Sequence, residues 1–299
     1  MHAFWHSEPM SSSHVPQHPA ARPMTRWARS VHQAVTDRPE RAVVCLDFDG
    51  TLAPIVERPE DARPLPAALE AVDALAGRIR CVAVVTGRPV RTVLDLGGLD
   101  RLAHAKRLRI FGQYGAERWD GATGEVTVPP VPEAVRAARR RIPELVDRAA
   151  AAGRQVEGVR LEDKGLAVGV HTRSCTDPDA ALAALEPGLR ALASELGLGV
   201  EPGRDVIELR ASALTKGDVV RELVAELDPA ALAFCGDDRG DIAAFDAVRA
   251  WRDEEHPGAV VVSGSAEVPE LAERADVLCD GPAGIAAWLG ALVDGLCPR

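Results

Sequence analysis

From residue 41 onward the chain alternates short, unbroken apolar runs with longer stretches whose apolar residues recur every three or four positions. Residues 43–46 and Cys81–Val85 are continuous and rich in valine, which predicts strands buried on both faces of a parallel sheet. Residues 109–111 give a weaker third strand, and 231–235 and 259–262 repeat the buried-strand pattern. Residues 66–77 place Leu69, Val72 and Leu75 at helical spacing, with Pro66 suited to a first turn. Strand and helix in alternation imply an α/β fold, a doubly wound parallel sheet.

The pattern changes in the middle of the chain. Residues 132–152 read as a long, Arg-rich amphipathic helix, and 177–196 as another. Residues 155–161 and 166–172 read as strands around a turn at Asp163-Lys164-Gly165, followed by strand-like stretches at 199–200 and 206–209. This order is α+β in character, so residues 128–210 are expected to form an inserted domain, leaving 38–127 and 211–299 as the core. Residues 1–37 are rich in Pro, Ser and His with little periodicity, and are expected to be a disordered leader, with a short helix at 25–35 as the alternative.

Composition narrows the partners. Of 299 residues 46% are hydrophobic but only 4% aromatic, so Ala, Val and Leu must fill the core. A formal net charge of -10 argues against general affinity for nucleic acid or anionic membrane, and no apolar run approaches a membrane span. The start lacks a compact secretory signal, which points to a cytoplasmic protein; a monomer is the separate expectation for its assembly. The six cysteines show no CxxC pair. Cys45, Cys81, Cys235 and Cys279 lie in or beside apolar runs and read as reduced core residues.

Chemistry gathers where the apolar runs stop. Asp47-Phe48-Asp49-Gly50-Thr51 follows the first strand, and carboxylates at i and i+2 of an extended chain point the same way. In a parallel sheet such residues face the crevice beyond the carboxyl ends of the strands. Two acids held this close repel unless a cation sits between them or one is protonated, and hard oxygen ligands suit Mg²⁺. A solvated turn is the bland alternative. A calcium loop does not fit, because Gly50 stands fourth instead of sixth and Arg58 occupies the twelfth position. Thr86-Gly87-Arg88 ends the next strand and is expected to open a helix whose N–H groups could hold phosphate. Lys216, just inside a helix capped by Thr215, supplies a cation, and Gly236-Asp237-Asp238-Arg239-Gly240-Asp241 brings three more acids to a strand end.

Taken together, the DxDGT, Thr, Lys and GDDxxD motifs resemble those of the haloacid dehalogenase superfamily of phosphatases, over nearly everything after residue 40. That resemblance implies Asp47 as nucleophile and Asp49 as general acid and base. It also implies Thr86 and Lys216 on the phosphoryl oxygens, with Gly87 and Arg88 binding substrate. Mg²⁺ would be held by Asp47, the backbone carbonyl of Asp49 and Asp237, with Asp238 and Asp241 ordering its surroundings. Residues 161–173 and 206–210 resemble cap segments of the trehalose-6-phosphate phosphatases, and Gly112-Gln113-Tyr114-Gly115-Ala116-Glu117 resembles their third-strand loop. By that likeness Glu162, Lys164 and Glu208 would hold sugar hydroxyls, and the substrate would be trehalose 6-phosphate. Gly240 and Ile242 replace the Thr and Glu usual in the fourth motif, and Ala211 a usual proline. A phosphatase for another sugar phosphate and a non-catalytic regulatory relative remain alternatives.

Overall fold

The computed structural model describes residues 25–56, 58–203, 205–252, 256–264 and 269–296. In chain order its elements are α1 (Arg26–Asp37), β1 (Ala42–Leu46), α2 (Pro66–Ala76), β2 (Cys81–Val85), α3 (Val90–Gly97), β3 (Leu108–Gly112), β4 (Glu117–Asp120) and β5 (Glu125–Thr127). There follow α4 (Glu133–Ala151), β6 (Arg160–Asp163), β7 (Ala167–His171), α5 (Pro178–Leu196), β8 (Gly199–Gly203) and β9 (Val206–Arg210). The chain then returns through α6 (Lys216–Leu227), β10 (Ala231–Gly236), α7 (Ile242–Arg252), β11 (Gly258–Gly264), β12 (Val277–Asp280) and α8 (Gly281–Gly295).

Among the described residues the strands form two sheets, one ordered β12-β11-β10-β1-β2-β3-β4-β5 and the other β6-β7-β9-β8. The run from β12 to β3 is parallel. Successive residues of β1 explain why it must be covered on both sides. Ala42, Val44 and Leu46 join an apolar cluster with α1, α2 and α8, while Val43 and Cys45 join another with α6 and α7. The α/β, doubly wound class expected from the pattern is therefore present, as are the strand positions of Cys45, Cys81, Cys235 and Cys279, all buried. The second sheet is antiparallel and packs α4 and α5 on one face over a separate apolar cluster that includes Ile142, Val168, Val170, Leu185 and Leu189.

Three expectations need correction. The first strand of the second sheet starts at Arg160, not 155, because 155–159 form turns with Gly158 in the left-handed region. The antiparallel pair β4–β5 extends the large sheet beyond β3, closed by a turn in which Asp120 Oδ1 accepts from the Ala122 amide at 2.7 Å. The third concerns residues 1–37. Residues 1–24 lie outside the described part, but α1 is an ordered helix capped by Thr25, and Val31 and Val35 are each 1% exposed in the core. Burying each valine is worth roughly 1.5–3 kcal/mol. Cutting the chain at residue 36 would therefore lower stability, where the leader reading expected no effect. Among the described residues no helix is long and apolar enough to cross a membrane.

Candidate active site

Strands β10, β1 and β2 are neighbours in parallel register, so the residues just beyond their ends stand side by side. Those residues are Asp237, Asp47 and Thr86. The Asp47 amide donates to Cys235 O at 2.9 Å, continuing the β1–β10 ladder one step beyond the strand and fixing where the carboxylate starts. Phe48 points into the core, fully buried, while Asp47 and Asp49 flank it. The chain then turns back through Gly50, whose φ is +66°. That position demands glycine twice over, since a Cβ there would also lie 1.9 Å from Asp237 Oδ2.

Lys216 is held in the first turn of α6 by a capping box between Thr215 and Asp218. Its Nζ reaches Asp47 Oδ1 at 2.9 Å and Asp241 Oδ1 at 2.7 Å, and all three side chains are buried. Burial alone would strip the lysine of its proton, but Asp241 and Asp47 outweigh it and push its pKa well up. Asp241 uses its other oxygen to accept from the amides of Asp237 and Asp238, at 2.9 and 3.1 Å. It therefore shapes the turn and anchors the lysine.

The acids crowd one another. Asp47, Asp238 and Asp241 each offer an oxygen within 4.8 Å of the others. Asp237 is buried behind Gly50 and accepts from Thr51 Oγ1 at 3.4 Å. Burial, only partly offset by Lys216, pushes Asp47 well above the usual carboxylate range. Burial and the repulsion of Asp241 and Asp238 push Asp237 up to about 8. Burial, opposed by Lys216, raises Asp241 to about 6. A donor set made only of hard oxygens, short of positive charge, fits a small divalent cation. Asp47, Asp238 and Asp241 offer oxygens close enough together to hold one, though Asp241 also serves Lys216 and two backbone amides, and Asp237 lies outside that group.

Two expected residues are placed differently from the motif reading. Asp49 stands apart from the carboxylate cluster: its two oxygens accept from Arg88 Nε and Nη2 at 2.6 and 2.7 Å. Arg88 also donates to Pro59 O at 2.9 Å. Thr86 does not open a helix. Its Oγ1 accepts from the Arg88 amide at 3.2 Å, and α3 begins only at Val90, whose amide donates to Glu117 Oε2 at 2.7 Å. The 86–89 loop thus precedes the helix, and Glu117 occupies the helix N-terminus itself. Glu117 carries no signal in the chain beyond its place in the third-strand loop. Ser263, whose buried Oγ donates to Gly50 O at 2.6 Å, was visible only as a hydroxyl ending an apolar run.

On the second sheet, Glu162 in β6, Lys164 beside it and Glu208 in β9 come together. Gly169 of β7 lies between Glu162 and Glu208 in register and offers no side chain to separate them. Lys164 Nζ bonds Glu208 Oε1 and lies 3.5 Å from Glu162 Oε2, which also meets His171 Nε2 at 2.8 Å. Glu208 Oε2 is buried without a hydrogen-bond partner among the described residues. This cluster is within electrostatic reach of the core: Arg88 is stabilised in part by Glu162.

Residues 45–277 match the family model of trehalose-phosphatases. The chain is 31% identical over 267 residues to the trehalose-phosphate phosphatase of Mycobacterium marinum, covering 86% of this chain and 62% of that protein. It is 37% identical over 219 residues to an uncharacterized glycosyl hydrolase of Mycobacterium tuberculosis, covering 70% of this chain but 15% of that protein. The chain thus spans less than two thirds of the length of these curated relatives. In fold it is similar to the C-terminal domain of C. albicans trehalose-6-phosphate phosphatase, with a TM-score of 0.68, 18% identity, and 92% and 99% of the two chains covered.

Proposed function

The chain belongs to the trehalose-phosphatase family, and from that premise we propose that it is a Mg²⁺-dependent hydrolase of trehalose 6-phosphate working through an aspartyl phosphate on Asp47. The observation that carries the reading is the buried Asp47–Lys216 pair at the end of the central strand, with Thr86 on one side and Asp237 on the other. A nucleophile, a fixed cation and a hydroxyl stand together there at the ends of neighbouring strands.

In the first step Asp47 attacks phosphorus, the P–O bond to the sugar breaks, and Asp49 gives its proton to the departing alkoxide. In the second, Asp49 takes a proton from water as that water attacks phosphorus and frees the Asp47 carboxylate. Thr86 donates to the equatorial oxygens and Lys216 balances their charge throughout. Asp47, Asp237 and the Asp49 backbone carbonyl would hold Mg²⁺, with Asp238 and Asp241 ordering its surroundings, and the bound ion would keep Asp47 ionised and neutralise phosphoryl charge. Arg88 holds Asp49 as a doubly bonded carboxylate, so Asp49 must leave it before carrying a proton. Binding of a phosphate by Gly87 and Arg88 offers the guanidinium that exchange. Residues 128–210 serve as the cap inserted between core segments 38–127 and 211–299, and Glu162, Lys164 and Glu208 recognise sugar hydroxyls from it.

Phosphate release from a panel of sugar phosphates tests the reading. Trehalose 6-phosphate should be the preferred substrate, with activity lost in EDTA and restored by Mg²⁺. Full activity after exhaustive chelation removes the metal. Preference for another sugar phosphate changes the substrate, and no hydrolysis of any marks a regulatory relative.

A further inference from the structure

The loop after β3 takes no part in the chemistry above, yet its backbone is held in an unusual shape. Gln113, Tyr114 and Gly115 have successive φ angles of +48°, +59° and +102°. Two adjacent residues with side chains seldom adopt the left-handed region, and here the surroundings enforce it. The Gln113 amide donates to Arg88 O at 3.0 Å, the Tyr114 amide to Thr86 O at 2.9 Å, and Gln113 Nε2 to Gly87 O at 3.1 Å. The loop is strapped to the phosphate loop at three points.

What the strapping achieves is the placement of one phenol. A Cβ on Gly87 would lie 2.9 Å from Tyr114 Oη, so the hydroxyl sits directly against the phosphate loop. The guanidinium of Arg210, at the end of β9, covers the ring 4.2 Å from its centroid. Arg210 is itself fixed by Glu201 at 2.7 Å and Leu214 O at 3.1 Å. Burial, then the charge of Glu208, keeps the phenol protonated, outweighing the opposite pull of Lys216. Tyr114 therefore has the phosphate loop against its hydroxyl and, over its ring, Arg210, which shares a face of β9 with Glu208 two residues before it. Its hydroxyl makes no hydrogen bond to any described residue, and Glu208 Oε2 is likewise unpaired though buried.

We propose that Tyr114 is a specificity-determining residue, its hydroxyl and Glu208 Oε2 together clamping one hydroxyl of the substrate across the seam between the two sheets. The chemistry selects the occupant. A group that satisfies both must donate to a carboxylate and accept from a phenol; a phosphate dianion cannot do the first and an ammonium cannot do the second. A sugar hydroxyl does both. The inference rests on the reading of this site as a sugar-phosphate phosphatase.

Tyr114→Phe removes the hydroxyl and keeps the ring under Arg210. It should lower kcat/KM for trehalose 6-phosphate about fivefold, chiefly through KM, the scale of one neutral hydrogen bond. On p-nitrophenyl phosphate, which has no sugar, the loss should stay below about twofold, and that activity also reports that the variant is folded. Combined with Glu208→Gln, the two losses on the sugar phosphate should fall short of their product, because each variant breaks the same clamp. Equal losses on both substrates would assign the phenol to the phosphate loop, and no loss or full multiplicativity would leave the two groups unlinked; each overturns the clamp. If the wild type prefers glucose 6-phosphate, the trehalose reading fails and the clamp is judged on that substrate by the same ratio. A wild type that hydrolyses neither sugar faster than p-nitrophenyl phosphate overturns both.

Discussion

Asp241, at the end of the large sheet, gives one oxygen to Lys216 and the other to two backbone amides, whereas Glu208, on the second sheet, gives one oxygen to Lys164 and keeps the other buried and unpaired. The two carboxylates belong to clusters of similar make-up, acids around a lysine, yet they are completed differently. Around Lys216 the protein supplies the partners, and the surplus is negative charge. Around Lys164 a polar partner is missing. A buried oxygen without a donor costs about 1–3 kcal/mol, which a hydroxylated ligand would return on binding. Preorganised charge suits a phosphoryl group common to many substrates, and an unfilled hydrogen bond suits the sugar that distinguishes one of them.

The largest way to break this contrast is Asp47→Asn. An amide is a far poorer nucleophile, so kcat should fall by at least about 10⁴-fold, the scale seen when a nucleophile is removed. The loss should be the same for trehalose 6-phosphate and p-nitrophenyl phosphate, because both need the attack. Phosphate release clearly above a matched blank would take the nucleophile's role away from Asp47. The next is Glu208→Gln, read by kcat/KM on the same two compounds. A hydrogen bond to a charged group is worth roughly 1.5–3 kcal/mol, so the sugar phosphate should lose about tenfold or more while the aryl phosphate keeps most of its rate. Parallel losses would place Glu208 with the fold or the chemistry and erase the distinction between the clusters.

The same contrast marks what could be read from the chain. Lys216, in the first turn of α6, was marked only by the Thr215 cap and the company of the other motifs, whereas Asp47, Thr86 and Asp237 were legible because buried strands announce themselves as apolar runs, and parallel sheets put chemistry at their carboxyl ends. The α/β alternation and the α-β-β-α-β-β order of the middle were legible for the same reason. The helix α1 was legible only as the alternative at 25–35, and its docking was not, since Val31 and Val35 are two apolar residues within a polar segment, and only the groove beside α8 and β11 gives them somewhere to go. The Asp49–Arg88 pair was hidden because it joins two motifs 39 positions apart, each of which reads as complete by itself. Nor could spacing show that Val90, four residues past Thr86, starts the helix, or that Glu117 from another strand caps it. Tyr114 was quoted as part of a loop, and its left-handed backbone follows from hydrogen bonds to the neighbouring loop that no local pattern records.

The smallest expected effect concerns pH, and it separates the clusters by sign. Asp47, Asp237 and Asp241 have folded pKa values raised by burial and, for Asp237, by its acidic neighbours, the last two to about 8 and about 6. Their unfolded values lie near 3.9. Between those limits the folded chain holds more protons than the unfolded chain, so these groups favour folding at low pH and lose that effect as pH rises through about 6 to 8. Glu162 runs the other way: burial opposes its charge, but His171 and Lys164 outweigh it and lower its pKa, and its contribution is already complete above pH ~5. With metal chelated, the melting temperature should therefore fall between pH 5 and pH 8. One proton of difference is worth about 1.4 kcal/mol per pH unit, or roughly 2 °C in a protein of this size. Asp237→Asn should flatten that slope and Glu208→Gln should leave it. Mg²⁺ should raise the melting temperature more at pH 8 than at pH 5, because at low pH it competes with protons for the same oxygens. An equal rise at both values, or a slope indifferent to Asp237→Asn, would mean that the negative surplus at the strand ends is not what the cation answers.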